Sequence, residues 1–101
     1  MIDYICDQLP QTELLAQLAE ECMELGKAAL KVRRVLDGRN PTPVSLCAAF
    51  ANFEEEIADV LLCLETLGCS LEEMAKYRAM MDGKLERWTG RLREREGGTY
   101  G

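Results

Sequence analysis

The sequence contains no histidine. This absence excludes Ser-His and Cys-His nucleophilic catalysis and removes the usual nitrogen ligand of zinc sites. The five cysteines are odd in number and none forms a Cys-x-x-Cys pair, so neither a zinc site nor a disulfide framework is expected. We interpret them as free thiols that act as small core residues in a reducing, cytoplasmic compartment.

Aromatic residues and long apolar runs are also scarce. Aromatics make up 6% of a chain that is 48% hydrophobic, so most apolar side chains are aliphatic and favour helix. No apolar run approaches about 20 residues, and no charged-then-apolar leader opens the chain, so we expect neither membrane contact nor export. The net charge of −6 argues against a nucleic-acid partner, which requires a basic face.

Apolar periodicity predicts two long helices in the first two thirds of the chain. After a short lead-in, the first runs from Gln11 to about Leu36, and Gly38 is suited to a left-handed cap at its end. The second runs from Pro43 to Leu67, with Thr42 as its N-cap.

A third helix follows a capping box that begins at Ser70. At 101 residues the chain is expected to form a single domain, 1–101, with a modest core. The predicted fold is all-α: an antiparallel bundle of three main helices over about residues 11–90, completed by oligomerisation into a core like that of a four-helix bundle. Residues 91–101 are expected to form a frayed tail.

Two acidic stretches, residues 20–24 and 54–59, interrupt these apolar helices. Glu21 takes a core position of the first helix, in a column that is otherwise apolar: Leu14, Leu18, Leu25, Ala28 and Val32. Glu56 and Asp59 share a face of the second helix that continues through apolar residues: Val60, Cys63 and Leu67. A charge on the apolar side of a helix costs several kcal/mol unless a partner or a metal compensates it.

The simplest interpretation of an acidic stretch is a solvated face stitched by lysine or arginine about one turn away. Here no basic residue occurs from Asn40 to Ala75, and the first helix has none before Lys27. We therefore favour two antiparallel helices that face their carboxylates across the bundle and bind Mg²⁺ or Mn²⁺ through oxygen ligands. The predicted ligands are Glu21, Glu24, Glu56 and Asp59.

These acidic motifs resemble those of a known enzyme family. Glu20-Glu21-x-x-Glu24 followed by Glu56-x-x-Asp59 is similar to the EExxE…ExxD signature of the MazG-like nucleoside triphosphate pyrophosphohydrolases, an all-α superfamily. The resemblance covers roughly residues 11–90. The chain departs from the family pattern in a longer gap between the motifs and in Asp82, where relatives often have asparagine.

The resemblance implies an all-α homodimer or homotetramer that hydrolyses a nucleoside or deoxynucleoside triphosphate to the monophosphate and pyrophosphate with Mg²⁺. The family's metal ligands match Glu21, Glu24, Glu56 and Asp59. The family's phosphate-contacting positions on the third helix match Lys84 and Arg87. Glu20 matches a residue that assists the metal or the water; we assign it proton transfer from the attacking water, with Glu55 as the alternative.

The sequence is also compatible with other functions. The chain is alternatively a non-enzymatic, helical, homo-oligomeric interaction protein whose acidic stretches are surface or interface features. Within the superfamily, dUTP and phosphoribosyl-ATP are alternative substrates, and the sequence does not choose the base. Lys84 and Arg87 are also explained as ordinary surface cations on the last helix.

Overall fold

The structure, a computed structural model, describes residues 1–38, 43–69 and 71–97. These residues form four α-helices and no strand: α1 Ile2–Gln8, α2 Gln11–Asp37, α3 Leu46–Thr66 and α4 Leu71–Glu96. The all-α class is thereby confirmed. The chain divides into two compact units, Met1–Gly68 and Cys69–Gly101, which are described separately. The single-domain assignment stays a prediction.

Helix α2 has the limits that the sequence predicted. Pro10 precedes it in an extended conformation, with φ −69° and ψ 157°. Gly38 ends it in the left-handed region, with φ 68°, and its N–H donates to the carbonyl of Arg34 at 3.0 Å. Glycine adopts this conformation without the steric cost that a Cβ atom imposes, which explains the sharp stop.

Helix α3 begins at Leu46, three residues later than the predicted start at Pro43. Its N-cap is Ser45, whose hydroxyl oxygen accepts a hydrogen bond from the N–H of Ala48 at 3.1 Å. That bond satisfies one of the amides that the first helical turn leaves unpaired. The predicted cap, Thr42, lies outside the described residues. Gly68 follows the end of α3 with φ 90°, a conformation that glycine adopts without steric cost.

The core of the first unit lies between α2 and α3, and α1 packs against α3. The predicted column on α2 is confirmed, because all six of its positions are buried or half-buried: Leu14, Leu18, Glu21, Leu25, Ala28 and Val32. On α3 the buried residues are Ala49 and Cys63. Leu14 lines a cavity with Leu62 near the end of α3, whereas Ala28 lines another with Asn52 near its beginning. The two helices therefore run in opposite directions.

Burial on α3 is less complete than its sequence predicted. The stretch from Ile57 to Leu67 is apolar on nearly all sides, which predicts a helix at the centre of a bundle. In the single chain Leu61 and Leu62 are 58% and 48% exposed. The bundle arrangement and its completion by oligomerisation stay predictions. None of the helices, within the described residues, is long and apolar enough to cross a membrane.

The second unit consists of α4. The predicted capping residue Ser70 lies outside the described residues. Large apolar side chains of this helix, at Met81, Leu85 and Trp88, are exposed. Residues 91–96, which the sequence assigned to a frayed tail, continue the helix to Glu96.

Candidate metal centre

Three carboxylates from α2 and α3 converge at the middle of the helix pair. Glu21, Glu56 and Asp59 each offer one oxygen, and these three oxygens lie within 4.8 Å of one another. We call these residues the acidic triad. Glu56 and Asp59 meet because a spacing of three places both on one face of α3. Glu21 joins them because its column faces α3, and it is half-buried, as is Glu56.

Burial and electrostatic repulsion both act on the Glu56 carboxyl group of the acidic triad. The pKa of Glu56 is raised above the ordinary glutamate value of 4.5, first by burial and then by the surrounding negative charges. Those charges belong, in decreasing order of effect, to Asp59, Glu21, Glu24 and Glu55. Both causes disfavour the ionised form. Acidic residues from both helices, including the fourth predicted ligand, therefore act on one carboxyl group.

Few groups compensate this charge. Gln17 donates a hydrogen bond from Nε2 to Oε1 of Glu21 at 3.0 Å. The two ion pairs found among the described residues, Lys27 with Glu24 and Arg33 with Asp37, do not involve the acidic triad. The three carboxylates thus lie close together, and the side chain that donates a hydrogen bond to them in this part of the chain is a neutral amide.

The acidic triad fits a small divalent cation. Magnesium binds oxygen at about 2.1 Å, so two ligands on opposite sides of the ion are about 4.2 Å apart. A spread of up to 4.8 Å closes to that distance through side-chain shifts below 1 Å. The donors are all oxygen, which suits Mg²⁺ or Mn²⁺ better than the softer metals that select sulfur or nitrogen. Exposed acidic groups also occur without an ion, and the half-burial of Glu21 and Glu56 is what distinguishes this cluster.

The fourth predicted ligand, Glu24, lies beside the acidic triad rather than in it. Its carboxylate pairs with Nζ of Lys27 at 3.6 Å, and both side chains are largely exposed. The same carboxylate contributes to the raised pKa of Glu56. An exposed ion pair of this kind is worth at most about 1 kcal/mol, so Lys27 holds the Glu24 carboxylate only weakly.

Two other predicted site residues, Glu20 and Glu55, lie in the first unit but outside the acidic triad. Glu20 and Glu55 are exposed, on α2 and α3 respectively. Lys84 and Arg87 are exposed on α4, in the second unit, where they line a shallow groove with Trp88. The roles assigned to these four residues stay predictions.

Two cavities adjoin the acidic triad on the helix pair. One, of about 480 Å³, is lined mainly by polar residues: Glu24, Lys27, Lys31, Arg34, Asn52 and Glu56. We call it the cationic cavity. The other, of about 250 Å³, is lined mainly by apolar residues of α1, α2 and α3 and is reached by Glu21 and Asp59. We call it the apolar cavity. Members of the triad therefore line both cavities.

The sequence-based predictions assigned no role to the basic side chains of the cationic cavity. Lys27, Lys31 and Arg34 follow Glu24 at spacings of three, four and three, which places all four on one face of α2. That periodicity was available in the sequence. The contribution of Asn52 was not, because it depends on the register of α3 against α2.

A thiol also lies close to the acidic triad. Cys63 is buried in the core, and burial raises its pKa, with further contributions from Glu21, Asp59 and Cys22. All five cysteines are free thiols, as predicted, but the prediction that they act as core residues is wrong for Cys6, Cys22 and Cys47, which are exposed. A buried thiol with a raised pKa is a poor nucleophile and a poor metal ligand, so Cys63 acts as a core residue.

No protein-family model, curated protein or solved structure matches this chain. The resemblance to the MazG-like pyrophosphohydrolases therefore stays a prediction that depends on the two acidic motifs.

Proposed function

We propose that this chain is a Mg²⁺-dependent pyrophosphohydrolase that converts a nucleoside or deoxynucleoside triphosphate to the monophosphate and pyrophosphate. Mn²⁺ is the alternative cation. The observation that carries the proposal is the acidic triad, whose three oxygens lie within 4.8 Å of one another on two helices. The motif spacing that resembles the MazG-like family supplies the reaction class.

In this proposal Glu21, Glu56 and Asp59 hold the cation, and Glu24 joins them after leaving Lys27. A bound divalent ion polarises a phosphoryl group and lowers the pKa of a coordinated water. Such an ion would also offset the repulsion between the acidic pocket and the negatively charged triphosphate.

The remaining residues act on the proton and on the phosphates. A carboxylate oxygen of Glu20, or of Glu55, accepts the proton of the water that attacks the α-phosphorus. The bond from that phosphorus to the bridging oxygen then breaks, and its electron pair leaves with pyrophosphate. Lys84 and Arg87 are proposed to neutralise phosphate charge.

The proposal is tested by measuring pyrophosphate release from a panel of nucleoside and deoxynucleoside triphosphates with Mg²⁺ or Mn²⁺. The panel includes dUTP and phosphoribosyl-ATP, because the site does not choose the base. We expect hydrolysis that disappears in Glu21→Gln, Glu56→Gln and Asp59→Asn while helical circular dichroism is retained. Glu65→Gln, an exposed α3 position away from the triad, is the matched control and should keep full activity.

Two outcomes would overturn parts of this proposal. A wild-type protein that hydrolyses nothing in the panel would remove the enzymatic function. Full activity in Asp59→Asn would remove the ligand assignment but leave the reaction class intact.

A non-enzymatic, homo-oligomeric interaction protein is the second candidate. It is favoured by the exposed apolar side chains of α3, such as Leu61 and Leu62. Oligomerisation alone does not decide between the two candidates, because an enzymatic homodimer or homotetramer would also cover those side chains and keep the acidic triad. Sedimentation equilibrium tests the oligomer directly. Five free thiols favour the cytoplasm as the compartment for either function.

A further inference from the structure

The cationic cavity is lined by three basic side chains and by two carboxylates, those of Glu24 and Glu56. Lys31 and Arg34 are both half-buried, and neither forms an ion pair with any residue in the described ranges. Lys27 pairs with Glu24 at 3.6 Å, but its side chain is 77% exposed. Half-burial removes part of the hydration of a cation, and that loss is normally offset by an opposite charge. An anion from outside the chain would supply it.

The dipole of α2 explains only part of this arrangement. Cations are favoured in the last turn of a helix, and Arg34 lies there. Lys27 and Lys31 lie further from the end, where the effect of the dipole has fallen off. The dipole also gives no reason for three cations to share a cavity with Asn52, an uncharged donor from α3. The three cations outnumber the two carboxylates of the lining, so the net charge of the lining is positive, and the cations and the amide match a polyanion.

The position of the cavity relative to the acidic triad indicates which polyanion the cavity would bind. Glu56 belongs both to the triad and to the lining of the cationic cavity, whereas Glu21 and Asp59 line the apolar cavity. Cleavage between the α- and β-phosphates yields a nucleotide and pyrophosphate, which must leave the reacting centre on different sides. The cationic cavity has the charge for the pyrophosphate, and the apolar cavity has the lining for the nucleoside.

We propose that the cationic cavity binds the β- and γ-phosphates of the substrate, with Lys31 and Arg34 as their principal contacts, and so holds the leaving pyrophosphate. The identity of the substrate rests on the proposed function; the affinity of the cavity for a diphosphate does not. When the bond to the α-phosphorus breaks, the negative charge that develops on the departing oxygen is stabilised by these two side chains. They are substrate-binding residues on α2, separate from Lys84 and Arg87 on α4.

The test is isothermal titration calorimetry of the full chain with inorganic pyrophosphate in the presence of Mg²⁺. The variant is Lys31→Gln/Arg34→Gln, and the control is Lys76→Gln/Arg78→Gln on α4, which removes the same charge elsewhere. We expect the dissociation constant for pyrophosphate to rise at least about tenfold in the α2 variant, because charged hydrogen bonds are each worth that factor or more. The control should bind as wild type does. The charge-preserving variant Lys31→Arg/Arg34→Lys should recover most of the affinity and separates lost charge from lost folding.

Three outcomes of these measurements would overturn part of the argument. Equal pyrophosphate affinity in wild type and the α2 variant overturns the proposal. Orthophosphate binding as tight as pyrophosphate binding overturns the assignment to a diphosphate. Loss of pyrophosphate binding in the α2 variant, in a protein that hydrolyses no triphosphate, overturns the proposed function and still supports the cavity as a diphosphate site. In an active enzyme the α2 variant should also raise KM for the triphosphate about tenfold.

Discussion

Replacing Glu56 with glutamine should have opposite effects on stability with and without a divalent ion. In the metal-free protein the Glu56 carboxylate faces four other carboxylates, and its pKa is raised. The folded state therefore holds its proton more tightly than the unfolded state does. The folding stability contributed by this group is present below pH 4.5 and is lost as the pH rises through the folded pKa. At neutral pH the repulsion is fully present, so Glu56→Gln should melt at a higher temperature than metal-free wild type.

Adding Mg²⁺ should reverse that order. An ion that binds only the folded state at one hundred times its dissociation constant adds about 2.7 kcal/mol to the free energy of unfolding. For a domain of this size each kcal/mol raises Tm by roughly 4 °C or more, so wild type should gain about 10 °C or more. Glu56→Gln loses one of the three carboxylates of the acidic triad, so it should gain much less.

The assay is a thermal melt followed by circular dichroism, at pH 5 and pH 7.5, across a range of Mg²⁺ concentrations. Glu65→Gln on α3 controls for the general loss of one negative charge and should follow wild type in every condition. Equal responses of wild type and Glu56→Gln to Mg²⁺ would refute the metal centre. A metal-free Glu56→Gln that melts below wild type at pH 7.5 would refute the electrostatic argument, even if Mg²⁺ binds.

Three further predictions test the fold around the site. Ser45→Ala should lower the free energy of unfolding by about 1 kcal/mol in urea titrations, because the cap of α3 is lost, whereas Ser45→Asp should retain most of it. Leu14→Ala should cost about 2–5 kcal/mol in the same assay, because Leu14 is 6% exposed, whereas Leu15→Ala, at 50% exposed, should cost far less. Under a thiol reagent at rising pH, Cys63 should react last and exposed Cys47 early, because burial raises the pKa of Cys63; simultaneous labelling would contradict the buried position.

The ends of a helix were predictable where they depend on the backbone preference of a single residue. Pro10 and Gly38 bound α2 because each restricts or permits particular φ values without reference to the rest of the fold. The start of α3 was less predictable, since both Thr42 and Ser45 are capping residues and precede apolar periodicity. Ser45 is the cap because its hydroxyl accepts a single hydrogen bond from the N–H of Ala48. The sequence alone does not show whether Ser45 or Thr42 takes this role.

The acidic triad was predictable for a different reason. Glu21 stands where the helical column requires an apolar residue, and Glu56 with Asp59 has no basic neighbour along its own helix. Both are conflicts between charge and burial that can be seen in one helix at a time. The basic residues of the cationic cavity share one face of α2 that the sequence already shows, whereas the contribution of Asn52 depends on the register between two helices, which no single helix reveals.

The position of the triad within the core explains how the chain tolerates it. Leu14 on one side of Glu21 and Ala28 with Val32 on the other are buried, so apolar contacts hold α2 against α3 at both ends of the column. The repulsion among the three carboxylates is therefore opposed by apolar packing on either side of them. Such a local violation of the helical pattern persists when surrounding structure compensates it, and it is expected at functional sites. A solvated acidic face needs no such support, which is why the flanking core, together with the close approach of the carboxylates, favours a site built to receive a cation.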